Sequence, residues 1–221
     1  MRINKYLALV TGVSRREADR LVLSRRVTVD GFAAVPGTDV NEGVSTVLLD
    51  NKRIGDVPKI QTIMLNKPVG CVVSRDGQGD KTVYNLLPQE FHGLKPVGRL
   101  DKYSSGLLLL TNDGNLANEL THPSRRKVKI YEVTLHKPLL PLHRQMINDI
   151  GIMLEDGRSQ LGLQRQTDGD DCSWIVTMHE GRNRQIRRTF SALSYTVTRL
   201  HRTRFGNYTL ANLQPGEFVQ L

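Results

Sequence analysis

Residues 95–114 read KPVGRLDKYSSGLLLLTNDG. Two apolar segments flank a polar turn that carries Arg99, Asp101 and Ser105, and the run of leucines after it is typical of a buried strand. A carboxylate on a loop that buried strands hold in place is well positioned for chemistry. The alternative is that Asp101 only caps the turn, as aspartate often does. The turn therefore predicts either a catalytic carboxylate or a structural one.

The sequence on either side of this turn predicts an α+β domain. We expect strands at 62–65, 71–74, 107–111, 127–135, 173–179 and 195–201, and helices at 82–87, 115–121, 141–150 and 183–193. Because these strands do not alternate regularly with helices, a doubly wound parallel sheet is disfavoured. The pattern favours a mixed, largely antiparallel sheet with peripheral helices.

Residues 1–58 have the pattern of a separate small module. Ser14 and Glu17 fit a capping box at the start of a short helix, after a first helix whose apolar stripe begins at Ile3. Asp30-Gly31 predicts a type I′ hairpin between strands at 27–29 and 32–35, with a further strand at 44–49. The polar residues 51–61 indicate a linker, so we place the domain boundary between 58 and 59, with a second domain at 59–221.

The chain has a formal net charge of +9, and the charge is segregated. Seven arginines and no acidic residue lie between Gly181 and Arg204, whereas residues 149–171 hold six acidic residues and two arginines. This segregation favours one basic face for a polyanionic partner, with the acidic segment turned away from it. The alternative is an exposed helix that is merely rich in arginine.

Several classes of protein are excluded by what the sequence lacks. The longest aliphatic run is too short to span a bilayer and the first residues lack the apolar stretch of a signal peptide, so we expect a cytoplasmic protein without a membrane partner. Cys71 and Cys172 are the only cysteines, which argues against a disulfide framework or a zinc site. No nucleotide-binding glycine motif is present, so we expect neither a metal nor a cofactor.

A second motif, EGRNRQIRR, occupies residues 180–188. Arg184 and Arg188 are four residues apart and share one face of the predicted helix, while Arg187 lies on another side, beside Ile186. An arginine that points inward needs a carboxylate partner, because an unpaired buried charge is costly. We therefore expect Arg187 to form an ion pair with Asp101.

Taken together, these motifs resemble the RsuA-type ribosomal RNA pseudouridine synthases. The resemblance rests on KPVG at 67–70, GRLDKYSSG at 98–106, KIY at 129–131 and GRNRQIRR at 181–188, in that order, and it extends over nearly the whole chain. SRRE at 14–17 and VTVDG at 27–31 resemble the S4 RNA-binding module that precedes the catalytic domain in most members. The expected fold is thus a small S4 module followed by a pseudouridine synthase catalytic domain.

The resemblance implies isomerisation of a uridine in RNA to pseudouridine, without a cofactor. Asp101 is then the catalytic aspartate, which either attacks C1′ or takes the C2′ proton. Tyr131 would pack on the target base, Ile186 would line its pocket, and Arg187 and Arg99 would contact the substrate or its surroundings. Implied contacts to the rest of the RNA are Lys5, Ser14, Arg15, Arg16 and Arg20 of the module, and Arg182, Arg184 and Arg188 of the second motif.

The expected partner is ribosomal RNA or a ribosomal-subunit assembly intermediate, with the protein acting as a monomer. Residues 115–124, 154–157 and 199–206 look more like members that act on the large-subunit RNA than like the small-subunit enzyme. A catalytically silent RNA-binding assembly factor is the alternative. Two positions depart from the family pattern, since Arg25 and Ser194 stand where glycine is usual, and we expect the local backbone to differ there.

Overall fold

A computed structural model describes all residues from Met1 to Leu221, and the chain divides into two units, Met1–Ile60 and Gln61–Leu221. The first unit holds two helices and a small antiparallel sheet of strand order β2-β1-β3-β4. Its elements are α1 (Ile3–Val10), α2 (Arg15–Leu23), β1 (Val27–Val29), β2 (Phe32–Ala33), β3 (Val47–Leu49) and β4 (Lys52–Arg53). Their apolar faces meet in one core, which includes Leu7, Leu21 and Val27.

Local signals in the first unit act largely as predicted. The Ser14 hydroxyl accepts a hydrogen bond from the Glu17 amide, which is one half of a capping box, while the Glu17 carboxylate pairs with Arg20 instead of returning to the cap. Asp30 and Gly31 both have positive φ, as a type I′ turn requires, and β1 pairs with β2 directly across them. The strand predicted at 44–49 begins only at Val47.

The second unit is built on one long mixed sheet. Its strand order is β11-β12-β8-β13-β7-β5-β15, with β6 beside β7 and β14 beside β13. The strands are β5 (Thr62–Lys67), β6 (Lys95–Pro96), β7 (Ser105–Thr111), β8 (Lys129–Leu135), β9 (Ile152–Leu154), β10 (Gly157–Ser159), β11 (Gly162–Arg165), β12 (Ser173–Met178), β13 (Val197–Phe205), β14 (Tyr208–Thr209) and β15 (Phe218–Gln220). Only the pairing of β13 with β7 is parallel, so the sheet is mixed and largely antiparallel, as predicted.

Helices cover this sheet at its periphery. They are α3 (Gly114–Thr121), α4 (Pro141–Gln145), which continues into a π-helical turn at Met146–Ile150, and α5 (Gln185–Ser191). The four leucines of β7 are fully buried because both faces of the strand are covered: Leu108 and Leu110 face one core, and Leu107 and Leu109 face another. No helix in the structure combines the length and apolar character needed to cross a membrane.

Three predictions about elements were wrong. Residues 71–74 form no strand and contribute only an isolated bridge between Val72 and Thr82, since the chain has just turned at Gly70 with positive φ. The helix predicted at 183–193 begins at Gln185, because Arg184 takes a left-handed conformation at its N-cap. The predicted helix at 82–87 is a short 3₁₀ turn, Val83–Leu86.

The two positions where glycine was expected keep the backbone that glycine would adopt. Arg25 has φ 56° and Ser194 has φ 63°, both in the left-handed region. After α5, the Tyr195 amide bonds to the Phe190 carbonyl and the Ser194 amide bonds to the Ser191 carbonyl, which is the Schellman arrangement. Both residues therefore bear the steric cost of a left-handed conformation, which glycine adopts cheaply.

Candidate active site

The turn that carries Asp101 joins β6 to β7 and is held from beneath by a lysine. Lys67, at the end of β5, is fully buried, and its ammonium donates hydrogen bonds to the carbonyls of Pro68 (2.9 Å), Asp101 (3.2 Å) and Ser104 (2.8 Å). Burial lowers the pKa of Lys67 to about 8. The lysine therefore fixes the backbone of the turn without binding the carboxylate of Asp101.

Arg184, not Arg187, is the ion-pair partner of Asp101. Its Nη1 lies 3.5 Å from Asp101 Oδ2, and the two side chains are 48% and 34% exposed. The left-handed N-cap of α5 accounts for this placement, because it starts the helix later than the sequence predicts and leaves Arg184 outside it. The predicted pair between Arg187 and Asp101 was wrong in this respect.

The side chain of Arg187 binds the backbone of the same turn. Its guanidinium donates to the carbonyls of Tyr103 and Val197, each at 2.7 Å, and more weakly to the Ser104 hydroxyl at 3.4 Å. Burial lowers its pKa, with a smaller contribution from neighbouring Arg184 and an opposing one from Asp101. Arg187 thus ties together α5, β13 and the turn, and it meets its need for acceptors with carbonyl oxygens.

Asp101 opens onto a cavity of about 490 Å³. Tyr131 and Ile186 line this cavity and are only 7% and 4% exposed, whereas Arg99 lies at its exposed rim. Arg182 and Arg184 also line it, while Arg187 and Arg188 do not. A cavity of this size is typical of small-ligand sites. Its walls combine apolar side chains with many polar and charged ones, most of them basic.

The acidic segment does not lie apart from the arginines. Asp156, in the turn between β9 and β10, forms ion pairs with Arg182 at 2.9 Å and with Arg188 at 2.6 Å. Arg182 also pairs with Glu180. The predicted segregation into one basic and one acidic face therefore does not hold at Asp156, where the acidic segment neutralises two arginines of the second motif. That residues 149–171 face away from the RNA stays a prediction.

In the first unit, the residues that were predicted to contact RNA lie in α1 and α2 and at the N-cap of α2. Arg15, Arg16 and Arg20 are exposed and Lys5 is half-buried. The hydroxyl of Ser14 caps α2, so its role in this structure is local.

Two residues of the second unit have roles that the sequence predicted only in part or not at all. Lys67, in the KPVG motif, was expected to be partly structural, and the structure shows the specific contacts that its ammonium makes to the turn. Arg202 lines the cavity and is 2% exposed, whereas its neighbourhood in sequence suggested an exposed basic stretch. Its alternation with Leu200 along β13, both buried, could have indicated an inward-facing arginine.

A partly buried carboxylate at the mouth of a cavity walled by an aromatic ring defines a site for acid–base or nucleophilic chemistry on a small planar group. Comparison with known proteins identifies the class. A family profile described as RNA pseudouridylate synthase matches residues 61–192. A crystal structure titled "pseudouridylate synthase" superposes with a TM-score of 0.71 at 30% identity, covering 100% of this chain and 96% of the other.

Curated relatives that are RNA pseudouridine synthases match this chain along its whole length. An uncharacterised RNA pseudouridine synthase of Aquifex aeolicus is 36% identical over 100% of this chain and 90% of its own length. The ribosomal small subunit pseudouridine synthase A of Vibrio cholerae is 34% identical, over 100% of this chain and 96% of its own. The ribosomal large subunit pseudouridine synthase B of Vibrio vulnificus is 35% identical, over 100% and 71%. The chain belongs to the RNA pseudouridine synthases, a family of isomerases.

Proposed function

We propose that this protein isomerises a specific uridine of ribosomal RNA to pseudouridine, with Asp101 as the catalytic carboxylate. The observation that carries the proposal is that Asp101, Tyr131 and Ile186, which come from three separate segments, line one cavity. Relatives that are named for ribosomal RNA modification at 34% and 35% identity support ribosomal RNA as the substrate. The preferred target is the large-subunit RNA, and the small-subunit RNA is the alternative.

The reaction assigns a task to each side chain. The N1–C1′ bond of the uridine breaks, the uracil turns within the cavity, and C5 bonds to C1′ while its proton is lost and N1 gains one. Asp101 acts as a carboxylate, whether it attacks C1′ or takes the C2′ proton, and its one ion-pair contact is with Arg184 at 3.5 Å. Tyr131 packs on the uracil, and Ile186 borders the space in which the base turns.

The substrate must leave its stack before it can enter this cavity. Extruding a nucleotide costs roughly a few kcal/mol, which contacts to the RNA backbone have to offset. Exposed Arg99 at the rim is suited to such a contact. In the first unit, we propose that Lys5, Arg15, Arg16 and Arg20 form an S4-like RNA-binding surface.

The test is pseudouridine mapping of both ribosomal RNAs from cells with and without this protein. We expect one or a few uridine positions to lose their signal in the deletion and to regain it when wild-type protein, but not Asp101→Asn, is restored. Asp168→Asn is the matched control, since Asp168 is exposed and outside the cavity. If no position depends on the protein, it is a catalytically silent RNA-binding factor and the proposal fails.

A separate measurement tests the RNA-binding surface. Replacing Arg15 and Arg16 together by serine should weaken binding to deproteinised ribosomal RNA and reduce the slope of log affinity against log salt by up to about 2. Unchanged affinity and slope would refute a role for these arginines in RNA binding.

A further inference from the structure

Arg202 is the most buried cation of the cavity and the least satisfied. It is 2% exposed, and its guanidinium makes one hydrogen bond, from Nε to the Leu107 carbonyl at 2.8 Å. Nη2 is buried without any partner, and no carboxylate lies within ion-pair distance of the group. Leaving a buried charged donor unpaired is costly, so a ligand that supplies an acceptor would remove that cost on binding.

Two half-buried arginines near Arg202 differ from it in how their terminal nitrogens are bound. Arg182 and Arg187 each have one unpartnered Nε, but their terminal nitrogens are engaged by carbonyls or carboxylates of the protein. In Arg202 the terminal nitrogens have no protein acceptor, and the guanidinium instead lies over the ring of Phe205, 4.7 Å from its centroid. The end of Arg202 that carries most of its donors is the end for which the protein supplies no acceptor.

Two features of the backbone bring Arg202 to this position. Arg202 is the cross-strand partner of Tyr131, and a β-bulge follows it, between Arg202 and Arg204. The bulge restores Phe205, not Arg204, to the cavity face. On the other side β7 approaches so closely at Gly106 that a Cβ there would lie 2.2 Å from the Arg202 carbonyl oxygen.

We propose that Arg202 binds a carbonyl oxygen of the target uracil and stabilises the negative charge that develops there when the N1–C1′ bond breaks. This inference rests on the proposed function. In either route open to Asp101, the electron pair of the broken bond passes to N1 and is shared with the conjugated carbonyl oxygens. When C5 bonds to C1′, the negative charge passes from the uracil back to the carboxylate of Asp101, which is either displaced from C1′ or returns its proton to C2′. C5 then loses its proton and N1 gains one. Arg202 itself neither gains nor loses a proton.

A base oxygen fits this position better than a phosphate. Tyr131, which faces the base in the proposed complex, is the direct neighbour of Arg202 across the strands. The phosphates stay with the RNA backbone, where exposed Arg99 at the rim can reach them. A buried, preorganised cation is also most effective when charge appears only in the transition state, since it needs no rearrangement at that moment.

The test measures RNA affinity and single-turnover rate separately for Arg202→Met and Arg202→Lys, using ribosomal RNA and ribosomal subunits from cells that lack this protein. With enzyme in saturating excess, we expect the rate to fall about 100-fold in Arg202→Met while the affinity for RNA changes less than threefold. Arg202→Lys should recover part of the rate. Arg158→Met is the matched control with an unchanged rate, because Arg158 is exposed and outside the cavity.

Arg202→Ala adds a chemical readout, since it leaves a space that a free guanidinium ion can fill. Millimolar guanidinium should restore part of the rate, whereas sodium at the same ionic strength should not. Unfolding monitored by the fluorescence of Trp174 checks that each variant is folded at the assay temperature.

Three results would overturn the proposal: a normal rate in Arg202→Met, a loss confined to affinity and its salt dependence, which would indicate a phosphate contact, or a loss of rate no larger than the unfolded fraction explains. If wild-type protein converts no uridine at all, the proposed function fails instead.

Discussion

The substitution Arg187→Met tests whether the guanidinium of Arg187 holds the turn through its backbone or pairs with the carboxylate of Asp101. The substitution removes two hydrogen bonds of 2.7 Å, to the carbonyls of Tyr103 and Val197, and keeps most of the apolar stem. Hydrogen bonds from charged donors contribute about 1.5–3 kcal/mol each, and relief of the half-buried charge offsets part of the sum. We expect the free energy of unfolding to fall by about 2–4 kcal/mol.

Trp174 makes the measurement specific to the second unit. It is the only tryptophan of the chain, it lies in β12, and it is 1% exposed, so its fluorescence during urea unfolding follows the unit that contains the site. Arg184→Met is the matched control: its pair with Asp101 is long and half-exposed, so we expect a loss of less than about 1 kcal/mol.

A double-mutant cycle with Asp101→Asn decides between the two roles. If Arg187 binds only carbonyls, its substitution costs the same in both backgrounds, within about 0.5 kcal/mol. If Arg187 were the ion-pair partner of Asp101, its cost would be clearly smaller once the carboxylate is gone. A coupling energy of about 1 kcal/mol or more between Arg187 and Asp101 would refute the role derived from the structure.

Three further predictions concern backbone conformation and charge. Ser194→Gly should stabilise the second unit by roughly 1 kcal/mol and raise its Tm by about 2–4 °C, because φ is 63° there, whereas Ser194→Ala should not; equal Tm values for both would contradict the strain. Gly106→Ala should destabilise the same unit by about 3 kcal/mol or more in urea unfolding, because a Cβ meets the Arg202 backbone; a stable, active variant would disprove the close approach. Asp156→Asn should release Arg182 and Arg188 from their ion pairs. RNA should then bind more tightly, and the slope of log affinity against log salt should steepen by about 1. An unchanged slope would show that these arginines do not contact phosphate.

The general architecture could be predicted from the sequence because the local sequence signals agree with the pattern of burial. Four consecutive leucines indicated a buried strand, which is covered on both faces, and Asp30-Gly31 indicated the tight turn of a hairpin. The strands that were missed, such as β11, β15 and the hairpin of β9 and β10, are runs of two to four residues with little periodicity. Their pairing depends on contacts with distant segments, which no local pattern records.

The sequence predicted which residues share the cavity more accurately than it predicted which side chains contact one another. The motifs brought Asp101, Tyr131 and Ile186 to one cavity wall, but the assignment of the ion pair depended on where α5 begins. A left-handed residue at its N-cap shifts that start and exchanges the roles of Arg184 and Arg187. A helical pattern cannot reveal this, because a left-handed arginine is disfavoured on its own and is held there by tertiary contacts.

The two cations that hold the turn explain how its carboxylate can remain reactive. Lys67 binds the carbonyls of Asp101 and Ser104, and Arg187 binds the carbonyl of Tyr103, so the whole turn is fixed through its backbone. Had the same cations bound the carboxylate directly, it would have been oriented but also occupied, and its nucleophilicity or basicity would have been reduced. Anchoring the backbone instead fixes the position of Asp101 while its side chain makes only one long contact, with Arg184. The role proposed for Asp101 requires this combination of a rigid support and a free functional end.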